Sequence, residues 1–171
     1  LGAYSSVRRE FSNEDIGFLQ GIANTLAAVI ERHRTADQLN HMAVHDSVTD
    51  LPNRLLMTDR LDIALHHAER TGHRVALLLV DIDRFKNVND IFGHLMGDHV
   101  LHEVGQRLSH CIRAEDTVSR QNGDEFIIVL PELAEAQDAA RIAEKFIGSL
   151  TAPFTFDDQE IILGVSIGIA C

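Results

Sequence analysis

The chain has 171 residues, 45% of them apolar, which is enough for one full core of ordinary globular make-up. A net charge of −11 argues against non-specific binding to nucleic acid or anionic lipid, and an anionic substrate would need metal ions or local Arg and Lys to offset repulsion. No stretch approaches the roughly 20 apolar residues of a membrane span, and the opening "LGAYSSVRREFS" lacks the basic-then-apolar plan of a signal peptide.

The first predicted element is a long helix over residues 12–42. "SNED" at 12–15 fits a capping box with Ser12 as N-cap and Asp15 closing it. Ile16, Leu19, Ile22, Leu26 and Ile30 then recur at spacings of three and four, which makes one apolar stripe. "VTDLPNR" breaks the pattern, Pro52 acts as a stop, and a second helix runs over about 54–70. "VALLLVDIDRF" is an unbroken apolar run of strand length that ends in acids, the pattern of a strand covered on both faces. A polar turn, "KNVNDIFGHLMGD", leads to a helix over about 98–112. A hairpin follows, 117–120 against 125–130, in which "NG" predicts a type I′ turn with positive φ at both Asn122 and Gly123. A helix over about 134–150 and a strand pair in "EIILGVSIGIAC" finish an α+β domain, a sheet with helices packed on it.

Two cysteines, Cys111 and Cys171, stand far apart without CxxC spacing, which favours a reducing cytoplasm over a disulfide scaffold. The chain opens without Met and so reads as a piece of something longer. Ten histidines invite a zinc reading. Neither His41 with His45 nor His99 with His102 has a nearby cysteine or an HExxH glutamate, so they read as solvated helix residues.

The carboxylates carry more. Asp81 and Asp83 lie two apart at the end of a buried strand and point to one face. A second acidic pair, Asp124 and Glu125, sits at the tip of a hairpin expected to adjoin it. Carboxylates converging at strand ends repel one another, and a divalent cation relieves that repulsion. Oxygen ligands without His or Cys suit Mg²⁺ or Mn²⁺, the ions that bridge nucleotide phosphates. The residues by themselves reach this far: a metal-dependent phosphoryl-transfer site.

"DIDRFKNVNDIFGHLMGD" (81–98), "RQNGDEF" (120–126), "LPNR" (51–54) and "SIGIA" (166–170) together resemble the GGDEF domain of the diguanylate cyclase family. The resemblance covers residues 44–171 and lacks the family's last helix. It implies a central, mostly antiparallel sheet with flanking helices, similar to the adenylyl cyclase and polymerase palm folds. It also implies condensation of two GTP into cyclic di-GMP, with one GTP held by each subunit of a homodimer. Carried over by position, Asp81 and Asp124 would be catalytic and ligand the metals, with the carbonyl of Ile82. Glu125 would be a further ligand or the base at the 3′-hydroxyl. Asn89 and Asp98 would hydrogen-bond guanine. Arg84, Phe85 and Lys86 would lie along the phosphates, and Asn122 and Gly123 would border the nucleotide. Asn122 stands where the family has its first glycine and adds a side chain at the turn.

"RAED" (113–116) has the spacing of the family's RxxD site, which implies that Arg113 and Asp116, on one helical face, bind product and inhibit. Residues 1–43 resemble the final strand and helix of a GAF sensory domain plus a linker helix. The alternative reading is a catalytically weak GGDEF domain that senses GTP or cyclic di-GMP for a neighbour, such as an EAL phosphodiesterase domain.

Overall fold

The structure is a computed structural model that describes residues 12–156 and 159–171. It divides into two compact units, Leu1–Ala43 and Val44–Cys171. In the first unit the described residues after Ser12 belong to helix α1 (Asn13–Val44). Its start is the capping box expected from "SNED". Ser12 Oγ accepts from the Asp15 N–H at 3.1 Å, and the Ser12 N–H donates back to Asp15 Oδ2 at 3.0 Å. The apolar stripe of Ile16, Leu19, Ile22, Leu26 and Ile30 is 39–52% exposed.

The second unit contains α2 (Arg54–Thr71), β1 (Arg74–Ile82), α3 (Phe85–Phe92), α4 (His94–His110), β2 (Thr117–Asn122), β3 (Glu125–Leu133), α5 (Ala136–Thr151), β4 (Phe154–Phe156), β5 (Gln159–Ile161) and β6 (Val165–Ala170). Its sheet is antiparallel in the order β2-β3-β1-β6. Ala76, Leu78, Val80 and Ile82 of β1 are wholly buried against a core built by Val100, Val104 and Leu108 of α4 and Phe146 and Leu150 of α5. On the opposite face Val75, Leu77, Ile127 and Val129 pack on Met57, Leu61 and Ala64 of α2. Cover there is partial, since Leu79 remains 44% exposed. The expected α+β architecture of a central antiparallel sheet flanked by helices is what the structure has.

Four local expectations change. The "polar turn" after β1 is helix α3, because Phe85 and Val88 recur at helical spacing and are buried. Gly93, at φ 84°, breaks α3 from α4, so α4 starts at His94 instead of near Asp98. The last segment is no strand pair with itself: β5 pairs with β4, while β6 crosses to the edge of β1. β3 also runs on to Leu133 through Pro131, past the expected end at Leu130. Pro131 and Glu132 together oppose Val75 in a bulge, where the missing N–H is tolerated and Glu132 takes φ 60°.

Candidate active site

The β1–β3 ladder brings the two acidic pairs together. Asp81 stands directly opposite Glu125 in register, and Asp124 lies in the turn just before it. On its other side Asp81 faces Ser166 of β6. Burial raises the Asp81 carboxyl above its ordinary value, and the charges of Asp124 and Asp83 raise it further. Asp83 has a second task. Its N–H donates to the Gly164 carbonyl at 2.9 Å, and its Oδ1 accepts from Ser166 Oγ at 2.7 Å. A Cβ on Gly164 would stand 2.6 Å from Asp83 Oδ2, so a larger residue there would have to displace the Asp83 carboxylate. Asp83 therefore stitches β6 to the end of β1 while adding negative charge beside Asp81.

The hairpin turn differs from the expected one. Asn122 pairs with Glu125, so the turn centres on Gly123 and Asp124, one residue later than a turn built on Asn-Gly. Gly123 has φ 54°, whereas the described non-glycine residues with positive φ are Asp50, Arg84 and Glu132. Asn122 thus closes β2 in ordinary extended backbone, with an exposed side chain. The register slips between Arg120 and Asn122, and Arg120 uses that irregularity. Its Nε and Nη2 donate to the Gly123 carbonyl at 2.9 and 2.8 Å, and its Nη1 donates to Asp46 Oδ1 at 2.8 Å. The Arg120 backbone N–H reaches the Pro52 carbonyl at 3.0 Å. Asp46 is also held by the N–H and hydroxyl of Thr49 at 2.9 and 2.8 Å. Burial alone would raise the Asp46 carboxyl, but the hydrogen bonds from Arg120 and Thr49, with the Arg120 charge, hold it below its ordinary value. Arg120 is 9% exposed, so this brace is largely shielded from solvent. Sequence reading missed it, because a single arginine 74 residues from its partner leaves no periodic trace.

Beyond Asp81 the chain turns at Arg84, φ 57°, into α3. Arg84 and Asp81 line one cavity of about 810 Å³, together with Asp83, Asn87 and the Glu160–Gly164 side. Phe85 is buried, and Lys86 is exposed. Asn89 lies against Gly97, where any Cβ would overlap Asn89 Oδ1 and force that side chain to move. Next to Gly97, Asp98 lines a different cavity of about 470 Å³. The structure thus gathers Asp81, Asp83, Asp124 and Glu125 at one strand end and puts Asn89 beside the backbone that carries Asp98.

"RAED" is a tight turn after α4 and not a helical face. Asp116 N–H donates to the Arg113 carbonyl at 3.2 Å, and Arg113 N–H donates to Asp116 Oδ2 at 2.9 Å. Asp116 is 9% exposed, and its carboxyl is raised chiefly by burial. Arg113 is exposed, and both residues line a cavity of about 310 Å³ that also meets Arg141 and Lys145.

The profile of the family "Diguanylate cyclase, GGDEF domain" matches residues 43–171. The chain is 41% identical over 148 residues to the bifunctional diguanylate cyclase/cyclic di-GMP phosphodiesterase MucR of Pseudomonas aeruginosa, covering 86% of this chain and 22% of that one. It is 43% identical over 133 residues to the diguanylate cyclase TpbB of the same species, covering 77% and 31%. A crystal structure of the coiled coil and GGDEF domain of DgcB from Caulobacter crescentus, in complex with c-di-GMP, superposes with TM-score 0.77. That match is at 27% identity and covers 89% of this chain and 81% of that one. The chain belongs to the GGDEF family of diguanylate cyclases and has the cyclase palm fold. It spans less than a third of the length of these two curated relatives. Among the described residues no helix is long and apolar enough to cross a membrane.

Proposed function

We propose that this chain is a diguanylate cyclase module that condenses two GTP into cyclic di-GMP and two pyrophosphates. The observation that carries the reading is the convergence of Asp81, Asp83, Asp124 and Glu125 at one end of the β1–β3 ladder, where burial, and then repulsion from Asp124 and Asp83, disfavour the Asp81 charge. Family membership supports it from the other side.

Among the described residues no three His, Cys, Asp or Glu side chains form a group that could by itself hold a metal ion. Mg²⁺ is commonly bound through one or two carboxylates and completed by substrate phosphates and water, and Mg²⁺ or Mn²⁺ is the ion proposed here. Asp81 and Asp124, with the Ile82 carbonyl, are the groups to hold it. When bound, the ion neutralises charge on the transferring phosphoryl group. The protein's own share is positioning. The turn into α3 sets the Arg84 and Phe85 backbone and Lys86 along the phosphates, and Asn89 and Asp98 accept from or donate to the base. Gly123 lets the hairpin come close, with Asn122 at its edge, and Glu125 takes the proton of the 3′-hydroxyl or joins the metal ligands. Each 3′-oxygen attacks the α-phosphorus of the facing GTP as the bond to pyrophosphate breaks, so two chains must meet. The exposed apolar stripe of α1 supports a homodimer formed through that helix. Arg113 and Asp116 form the product site, and residues 1–43 are the end of a GAF-like domain with a linker helix.

Incubation with GTP and Mg²⁺, with chromatography for cyclic di-GMP, tests this. The expected result is product whose rate per chain rises with protein concentration and vanishes in Asp81→Asn. GTP consumption without cyclic di-GMP, or none at all, would sink the proposal.

A further inference from the structure

The turn that carries Asp124 has little packing to hold it. Asn122, Gly123 and Glu125 are exposed, and a Cβ on Gly123 would meet nothing within 4 Å among the described residues. The turn therefore rests chiefly on hydrogen bonds, and beyond the β2–β3 ladder these converge on one carbonyl. The Gly123 oxygen accepts from Arg120 Nε at 2.9 Å and from Arg120 Nη2 at 2.8 Å. That oxygen belongs to the planar peptide unit whose nitrogen is the one of Asp124. Two donors arriving from one rigid guanidinium fix the tilt of that plane, and with it the direction in which the Asp124 side chain leaves the backbone.

The guanidinium is in turn placed by a loop far away in sequence, residues 46–52. Arg120 Nη1 donates to Asp46 Oδ1 at 2.8 Å, and the Arg120 N–H donates to the Pro52 carbonyl at 3.0 Å, so both ends of the loop meet one residue. The loop is closed on itself. The Asp46 N–H donates to the Leu51 carbonyl at 2.8 Å, and the Asp50 N–H donates to the Asp46 carbonyl at 2.9 Å. Asp46 Oδ1 also accepts from the N–H and hydroxyl of Thr49, a buried residue. Asp50 takes left-handed backbone at φ 59°, and the next residue but two, Asn53, caps α2 by accepting from the Leu55 N–H at 2.9 Å. A loop bonded at this many points has one shape, and Arg120 hands that shape on to the acidic turn.

We propose that the 46–52 loop sets the working position of Asp124 and Glu125 through Arg120, so that Arg120 and Asp46 are positioning residues for the reaction. Both act through the Gly123 carbonyl. The inference rests on the cyclase reading for its reaction, but the order of the turn can be measured without catalysis. Lysine at position 120 separates positioning from simple charge balance, because it keeps a cation for Asp46 and lacks the fork that grips the carbonyl twice.

The test compares the parent with Arg120→Ala, Arg120→Lys and Asp46→Asn in cyclic di-GMP synthesis over a GTP series with Mg²⁺, below the melting transition of each. Amide hydrogen exchange of residues 121–126 is measured on the same proteins. Ala143→Gly, at a buried site in α5, is the control for lost stability alone. Arg120→Lys should lower kcat about tenfold or more and leave KM for GTP within about threefold, the mark of misplaced groups instead of lost binding. Asp46→Asn should lower kcat by a smaller factor, and both should speed exchange in 121–126, whereas Ala143→Gly should change neither. Should Arg120→Ala fail to fold, the Lys and Asn variants decide. Parental kcat in Arg120→Lys overturns the proposal, as does an equal fall in Ala143→Gly. A parent that makes no cyclic di-GMP ends the cyclase reading, and exchange then decides: faster exchange confined to 121–126 in Arg120→Lys upholds the placement of the turn by the loop, and parental exchange overturns it.

Discussion

Two acidic turns, Gly123–Asp124 and Arg113–Asp116, look alike in sequence and are built in opposite ways. The first is braced from outside: Arg120 holds the Gly123 carbonyl with two nitrogens and anchors itself on Asp46 with a third. The second is held by its own acid, since Asp116 accepts from the Arg113 N–H and is nearly buried. The contrast shows where a carboxylate is left for chemistry. Asp124 and its neighbour Asp81 keep mutual repulsion that a bound cation could relieve. Asp116 commits Oδ2 to the shape of its own turn, whereas Arg113 is exposed.

The largest expected effect comes from the repulsive pair. Asp81→Asn should cut cyclic di-GMP formation by roughly 10²-fold or more, a loss of a few kcal/mol at the transition state. It should not weaken the fold. Because the folded carboxyl is raised, the folded chain binds more protons than the unfolded one between the ordinary and raised values, and stability falls as pH rises through that window. Above it the ionised Asp81 is a net cost, so the Asn variant should melt at or about 1 °C above the parent at neutral pH. A clear drop in Tm would mean that Asp81 is structural.

Next comes the brace. Arg120→Ala leaves the Asp46 charge half-buried without its partner and should cost about 3 kcal/mol in urea unfolding. Arg120→Lys, which keeps the charge but loses the fork, should recover part of that. The Asp46 carboxyl is held below its ordinary value, so its contribution is full above the unfolded value and is lost as pH falls through the folded one. The gap between parent and Arg120→Ala should therefore begin to narrow as pH falls below about 4, leaving the share carried by the two hydrogen bonds to the Gly123 carbonyl. A gap that does not narrow at all would place the whole loss in those bonds and in packing instead of charge.

The self-held turn should separate its two residues. Arg113→Ala is expected to weaken cyclic di-GMP binding by about 2–3 kcal/mol with Tm and GDP affinity unchanged. Asp116→Ala should instead lower stability by about 1 kcal/mol through the lost Arg113 N–H acceptor. Titration calorimetry with a paired melt reads both, and identical behaviour of the two variants would erase the contrast. The smallest change is Asn122→Gly. Asn122 has no need of positive φ, so glycine should cost under ~1 kcal/mol of backbone entropy and leave the turn in place.

How much of this was legible depends on range. The Ser12–Asp15 capping box and the β1 run could be read because their signals lie within a few residues. Helix α3 was hidden by its polar residues, Lys86, Asn87, Asn89 and Asp90, although Phe85 and Val88 carried the period. The turn moved by one residue because Arg120 and the bulge decide the register, and no propensity for Asn-Gly contains that information. The convergence of the acids was readable from strand ends. The separation of Asp98 into its own cavity with Phe156 was not, because it depends on where β4 lies.

The strand order also imposes a timetable. Strand β1 lies inside the sheet, yet both of its neighbours come later: Asp81 must wait for Glu125 and then for Ser166. At ribosomal speeds of about 5–20 residues per second, the run "VALLLV" spends seconds with both edges open. Only α2, already made, is at hand to shelter Leu77. A chain stalled before β6 would keep one edge of that apolar strand available for pairing with a second chain. Arg74 at its start and Asp81 and Asp83 at its end are the charges that flank the run and oppose such pairing. The acids proposed for chemistry in the finished protein would then also guard that strand against aggregation while it is being made.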